Sequence, residues 1–391
     1  MKRTAGHLLR CTTSPEHFSA FVPAPLPPDP PLVISPDIQE LLEQANRALG
    51  RLDGIGALLP DTQLFLYSYI RKEALLSSQI EGTQSSFSDL LLYESKEAPG
   101  VPLNDVQEVS SYVAALEHGL RRIREGLPLS LRLIREVHAI LLSSGRGSHQ
   151  SPGEFRRSQN WIGGTRPGNA RYVPPPPDRV MDCLGALERF LHDDPVPTPT
   201  LIKAALAHVQ FESIHPFLDG NGRVGRLLVT LLLCAEGAMM EPLLYLSLYL
   251  KQRRETYYEL LQQVRETGDW EAWLGFFLRG VQETAEQGAA ATRSLLQLFR
   301  EDRERIEGLG QAVSSALRVF SQFQIAPILS VAQIAETLKL SVPTVNFAVR
   351  NLGEIGIVQE MTGRRRGRLF VYRRYLDILS EGTEPIRSSS N

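Results

Sequence analysis

The chain has 391 residues, 42 lysines and arginines against 44 aspartates and glutamates, a formal net charge of −2, and 42% hydrophobic residues. This balance excludes a disordered, collagenous or strongly polybasic chain, and any whole-chain preference for nucleic acid or anionic membrane. The length fits two or three domains at roughly 100–200 residues each. Cys11, Cys183 and Cys234 are odd in number and far apart, which argues against a disulfide framework and for a reducing compartment. The first residues lack the apolar core of a signal peptide. The longest apolar run, 227–235, falls far short of the roughly 20 residues that span a bilayer. The expectation is a cytoplasmic protein without a membrane partner.

Six of the eleven residues at 21–31 are proline. Such a stretch favours polyproline II and excludes a helix, and Phe21, Val22 and Leu26 suggest an arm laid on the body. Residues 37–50 place Ile38, Leu41, Leu42, Ala45 and Leu49 at helical spacing, with Gly50 as the stop. A second amphipathic helix is predicted over 62–81, ended by Gly82, and the pattern repeats over 104–125 and 130–143. Between 152 and 177 the sequence turns to glycine and proline with β-prone pieces at 160–162 and 171–173, which reads as a hairpin or flap. Helices are predicted again over 178–192, 200–212, 223–236, 251–266 and 269–283, with a helical connection over 288–322. A helix at 330–338, a turn at 339–343, a helix at 344–356 and strands at 357–360 and 369–372 follow the order of a helix-turn-helix with a β-wing. The expected architecture is mostly α, with three parts: 1–110, 111–285 and 286–391.

The informative segment is 214–228, IHPFLDGNGRVGRLL. Gly220, Gly222 and Gly225 satisfy G-x-G-x-x-G, and Glu241 lies at about the distance of a Rossmann acidic residue. A Rossmann fingerprint must follow a buried strand, whereas Leu201, Ile202, Ala205, Leu206 and Val209 repeat at helical spacing. The better reading is an anion site between two helices. A glycine-rich turn exposes backbone N–H groups, and the helix that follows adds partial positive charge. Arg223 and Arg226, three apart, share one face and suit a polyphosphate. Asp219 is a hard oxygen ligand suited to Mg²⁺. His215 can accept a hydroxyl proton near neutral pH.

Residues 215–226 resemble the H-P-F-x-D-G-N-G-R-x-x-R signature of Fic-domain proteins. The usual reaction of that family is AMP transfer from ATP to a protein hydroxyl. The resemblance implies that His215 deprotonates a Ser, Thr or Tyr hydroxyl, which attacks the α-phosphate in line and releases pyrophosphate. It implies Asp219 as the Mg²⁺ ligand and Gly220, Asn221 and Gly222 as the cradle of the α-phosphate region. Arg223 and Arg226 would take the β- and γ-phosphates, with Val224 and Gly225 in the same turn. The cofactors implied are ATP and Mg²⁺.

Residues 159–177 resemble the Fic flap, QNWIGG followed by VPPPP. In the family this hairpin offers an open edge on which a target protein pairs as an added strand, and Ile162, Gly163, Gly164 and Thr165 would border the nucleotide. Tyr257 and Tyr258 stand where the family often has aromatics near adenine, with a core role for one of them the alternative. The family frequently has asparagine where Arg265 stands. Residues 77–82, SSQIEG, resemble the inhibitory motif [S/T]-x-x-x-E-[G/N]. Glu81 would pair with Arg226 and occupy the arginine that the γ-phosphate needs, with Ser77 one turn earlier and Gly82 ending the helix. The implied enzyme is an autoinhibited protein adenylyltransferase.

From 310 to 391 ten basic residues face six acidic ones, and Arg364, Arg365, Arg366 and Arg368 cluster on the expected wing. This unit resembles the winged helix at the C-terminus of several long Fic proteins. Duplex DNA, held by the second helix and the wing, and a protein partner or a second copy in a homodimer are equal readings. Three alternatives stand beside the main reading: a nucleotide-sensing transcription regulator without transfer, a de-AMPylase, and a transferase of phosphate or phosphocholine.

Overall fold

The computed structural model describes residues 3–13, 16–57, 62–95, 103–364 and 367–385. An antiparallel hairpin opens the chain, β1 (Gly6–Thr13) and β2 (Glu16–Pro23), with Gly6 opposite Pro23. Phe21 and Val22, expected in the proline arm, belong to β2, where proline enters only at the last position. The arm expectation holds beyond it. Leu26 is buried, and the Ala24 carbonyl accepts a hydrogen bond from Gln210 Nε2 at 2.8 Å.

Helices α1 (Pro36–Ala57), α2 (Thr62–Ile80), α3 (Phe87–Glu94), α4 (Leu103–Arg124) and α5 (Leu131–Leu141) follow. Gly50 does not stop α1. It faces open space, so it costs only about 1 kcal/mol against alanine, and the apolar stripe continues through Leu52. α3 escaped the sequence reading, although Ser86 and Asp89 form a capping box at its start. After the flap come α6 (Pro177–Leu191), α7 (Thr200–Ile214) and α8 (Asn221–Ala235). The stretch expected as one helix over 251–266 is α9 (Ser247–Gln252) and α10 (Arg254–Thr267), broken at Arg253.

α11 (Trp270–Glu307) is a single helix of 38 residues, about 57 Å long at 1.5 Å per residue. It absorbs both the helix expected at 269–283 and most of the connection expected at 288–322. Its buried positions continue without a break from Trp270 to Ile306, so packing on both sides carries it past Gly280 and Gly288. The expected part boundaries near 110 and 285 fall inside α4 and α11.

The C-terminal unit runs α12 (Val313–Ile325), β3 (Ile328–Ser330), α13 (Val331–Leu338), α14 (Val342–Glu354), β4 (Gln359–Glu360), β5 (Leu369–Val371) and α15 (Arg373–Ser380). Its sheet is antiparallel in the order β3-β5-β4. β3 and α15 were not anticipated. Arg365 and Arg366 lie outside the described residues. This unit grips α2: Tyr375 Oη meets Ser68 Oγ at 3.0 Å, and Gln79 Nε2 donates to the carbonyls of Ser85 and Thr383, both at 2.8 Å. Among the described residues no helix is long and apolar enough to cross a membrane.

The site rests on α7. Every residue from Leu201 to Ile214 is buried, as befits a helix packed on all sides. Its neighbours are α6, α8, α10, α11 and β2, and Trp273 of α11 donates its indole N–H to the Ala205 carbonyl at 2.9 Å.

Candidate active site

α7 ends at His215, which takes the left-handed conformation with φ 47° and ψ 59°. That reversal turns the chain into the loop 215–220 and starts α8 at Asn221. The loop is pinned from below. Phe217 N–H donates to Asn221 Oδ1 and Asn221 Nδ2 donates to the Phe217 carbonyl, both at 2.8 Å. The His138 ring stacks on Phe217 with centroids 3.6 Å apart. His138 Nδ1 accepts from Gly153 N–H at 2.8 Å, so its Nε2–H is the donor to the Asp219 carbonyl at 3.1 Å. Burial lowers the His138 pKa to about 4, which keeps it neutral in that role. Buried Arg156 donates to the carbonyls of His215, Ile214 and Pro175, tying the end of α7 to the flap.

The two arginines in the first turns of α8 are each answered by a glutamate. Arg223 is 2% exposed; its Nη1 donates to Glu108 Oε2 at 3.2 Å, and Nη2 stands 3.6 Å from Asp219 Oδ1. Arg226 donates from Nε to Ser77 Oγ at 2.8 Å and from Nη2 to the Ser77 carbonyl at 3.0 Å and to Glu81 Oε1 at 2.7 Å. Burial raises the Glu81 pKa, and Arg226, Arg223 and Arg254 outweigh it, so the carboxyl sits below its ordinary value. A Cβ at Gly222 would meet Glu81 Oε1 and Arg226 Nη1, so a side chain there would press on the ion pair. Gly82 follows Glu81 with φ 102°, as expected of a helix stop.

A cleft of about 490 Å³ unites these parts. Ile162, Gly163, His215, Gly222, Arg226, Tyr257, Tyr258 and Glu81 line it. Gly164, Thr165, Asp219, Gly220, Asn221, Arg223, Val224, Gly225, Ser77 and Gly82 do not. Thr165 N–H is engaged with Asn169 Oδ1 at 3.0 Å. Asp219 sits beside the loop at 36% side-chain exposure, its Oδ1 accepting from Gly220 N–H at 2.6 Å. The flap is thin: Ile162 N–H donates to the Tyr172 carbonyl at 2.8 Å, and the Ile162 carbonyl accepts from Tyr172 N–H at 3.1 Å and Arg171 N–H at 3.0 Å. Gln159 Nε2 donates to the Pro174 carbonyl at 3.0 Å, and Asn160 Nδ2 to the Phe217 carbonyl at 2.8 Å.

Tyr257 and Tyr258 divide their roles. Tyr257 is buried, its hydroxyl 2.9 Å from His208 Nε2; His208 Nδ1–H donates to the Gly225 carbonyl at 3.0 Å, so Nε2 accepts. Tyr258 is half-buried, its ring 5.0 Å from Tyr257. Burial, with Glu81 beside it, pushes the Tyr258 pKa up to about 12, so it meets a ligand as a neutral phenol. Arg265 stacks over the Tyr172 ring at 3.9 Å and donates to the Glu212 carbonyl and Ser213 Oγ, both at 3.1 Å. Burial, then Arg265 and Arg156, lower the His215 pKa to about 3, so the ring is a free base at neutral pH.

Glu108, Arg156 and Glu212 escaped the sequence reading. For Glu212, three residues before His215 and therefore on its helical face, the spacing was a usable signal. Glu108 and Arg156 reach the site only through packing.

Residues 39–121 match the model of the Fic/DOC family N-terminal, and residues 128–233 that of the Fic/DOC family. A Drosophila erecta protein named Protein adenylyltransferase Fic is 29% identical over 223 residues, 55% of this chain and 41% of that one. Its Drosophila yakuba namesake is 30% identical over 223 residues, with the same coverage. The chain thus spans about two fifths of the length of the curated relatives it matches. A crystal structure of a Fic family protein from Desulfovibrio desulfuricans G20 shares the fold, with a TM-score of 0.57, 21% identity and coverage of 88% of this chain and 97% of that one.

Proposed function

We propose, from the premise that the chain carries a Fic N-terminal domain followed by a Fic domain, that it transfers AMP from ATP to a hydroxyl of a protein and that Glu81 restrains the reaction. The observation that carries this reading is the shared cleft in which His215, Gly222 and Arg226 face the flap and the two tyrosines. Adenine lies against Tyr258, with Tyr257 behind it. The triphosphate runs toward the start of α8, where free N–H groups and Arg226 answer its charge. His215 removes the proton of the incoming hydroxyl, whose oxygen bonds to the α-phosphorus as the bond to pyrophosphate breaks. Such chemistry draws mainly on positioning and fixed electrostatics.

Asp219 fits a Mg²⁺ site, being a partly exposed hard oxygen donor beside the loop. Asp219 alone would leave the ion to take its other ligands from phosphate and water. When bound, Mg²⁺ neutralises phosphate charge.

Restraint follows from occupancy. With Ser77 and Glu81 holding its Nε and Nη2, Arg226 has only Nη1 left to offer a γ-phosphate. The target segment docks along the flap beside exposed Trp161. A second groove of about 570 Å³ between the first hairpin and the flap shares Arg171, Tyr172, Gln262 and Arg265 with the nucleotide cleft, and extends that surface. The C-terminal unit, read as a winged helix, lines the groove between α14 and β5 with Arg350 and Arg368. Duplex DNA suits those cations; the exposed Phe347 on the same helix suits a protein.

The test is incubation of the chain and its Glu81→Gly variant with ATP labelled at the α-phosphate in cell lysate, then intact mass measurement. A gain of one AMP per target molecule supports the reaction. Unchanged masses with both forms refute it.

A further inference from the structure

α7 buries five polar side chains between Lys203 and Ser213, and four are satisfied. Lys203 Nζ meets Asp193 at 2.9 Å and Glu236 at 2.8 Å; His208, Gln210 and Ser213 have the partners given above. Glu212 is the exception. Its side chain is 7% exposed, Oε1 has no partner among the described residues, and Oε2 stands 4.0 Å from His215 Nδ1. That nitrogen is likewise buried and without a partner. A buried carboxylate and a buried ring nitrogen, each unpaired and one short movement apart, are costly to leave so. The fold also makes room for the carboxylate. A Cβ at position 225 would lie 2.5 Å from Glu212 Oε1, so a side chain there would press the carboxylate out of its present place.

We propose that Glu212 is a positioning residue of the transfer reaction: its carboxylate accepts the Nδ1–H of His215 and so directs Nε2 to the attacking hydroxyl. The proposal rests on the reading of His215 as the base. In the step, the hydroxyl proton passes to Nε2 while its oxygen bonds to the α-phosphorus and the bond to pyrophosphate breaks. Glu212 then faces an imidazolium until the proton leaves to water. The other acceptor near Nδ1 is the Glu212 carbonyl, which also accepts from Arg265 Nη2 at 3.1 Å. The charges that face this pair are Arg226 of α8, Arg265 of α10, Arg156 and Glu81, with His208 and Tyr257 neutral beside it. Burial pushes the Glu212 pKa up to about 7 against the pull of Arg226, so the carboxylate is available in the upper part of the physiological range.

The full chain, with Glu81→Gly as the active parent, is compared with Glu212→Gln and Glu212→Asp on that background. Glu212→Gln is expected to lower kcat by roughly ten- to hundredfold with KM for ATP unchanged, and to shift the His215 limb of the pH profile to lower pH. Glu212→Asp restores part of the rate. In nitrogen-15 spectra of the histidines, independent of turnover, Glu212→Gln moves the His215 tautomer balance away from Nδ1–H. An active parent whose kcat, pH limb and His215 resonances are untouched by Glu212→Gln overturns the role of Glu212 alone. A parent that transfers nothing overturns the reading of His215 and the proposal with it.

Discussion

Glu81 and Arg226, 145 residues apart in the chain, meet at 2.7 Å, and the serine one turn before Glu81 holds the same guanidinium from the other side. The pair is enclosed on the arginine's side, which is 2% exposed, and open on the glutamate's, at 31%. Removing the carboxylate therefore takes away the one charged partner the arginine has among the described residues, leaves the contacts to Ser77 in place and does not open the core.

Glu81→Gly should raise AMP incorporation by roughly ten- to hundredfold, the equivalent of one charge-assisted hydrogen bond of about 1.5–3 kcal/mol. Label incorporation per minute, at saturating ATP, measures it. Equal rates in the two forms would sink the restraint.

His215→Ala should cut transfer by roughly 10²–10⁴, the usual worth of a general base, while calorimetry shows ATP still bound. Alanine inherits the left-handed backbone at φ 47°, whose cost histidine already bears, so the backbone adds little to any change in Tm. Undiminished transfer would refute the assignment.

Glu73 gives a pH signature. It is fully buried and accepts hydrogen bonds from Ser247 N–H at 3.1 Å and Ser247 Oγ at 2.5 Å. Burial raises its pKa to about 7 against those donors, whereas the unfolded chain releases the proton near about 4.3. The folded state thus holds a proton that the unfolded state gives up. Its contribution is complete below about pH 4.3 and is lost as pH rises through 7. The Tm of Glu73→Gln minus that of the parent should grow between pH 4.5 and 8; a constant difference would contradict the assignment.

Trp273→Ala should cost about 3–5 kcal/mol in denaturant unfolding, as for a large buried ring. Trp273 is fully buried against Phe276 and Phe277, and it stacks on His208 at 5.7 Å beside Tyr257. Because that ring backs the tyrosine of the cleft, ATP affinity should fall together with stability.

What was readable from the residues follows their reach. The loop 215–226 is contiguous, so its chemistry showed in the text, and the amphipathic helices showed by period. Gly50 misled because a lone glycine on an exposed face costs less than continued packing gains. The joined α11 was hidden because nothing local marks whether two helical stretches share an axis. The first hairpin was missed because residues 6–13 do not alternate cleanly. Glu108 and Arg156 act where they do only because α4 and the flap fold back on the loop.

The grip of Tyr375 and Thr383 on α2 bears on how such chains can be recombined. A cut made between the catalytic and C-terminal segments would strip Ser68 and Gln79 of partners on one side and leave Tyr375 unanswered on the other. Grafts that carry α2 together with the whole C-terminal unit should keep their fold where grafts cut between the two lose it. The transplantable piece is defined by what clasps that helix, and it is discontinuous in sequence.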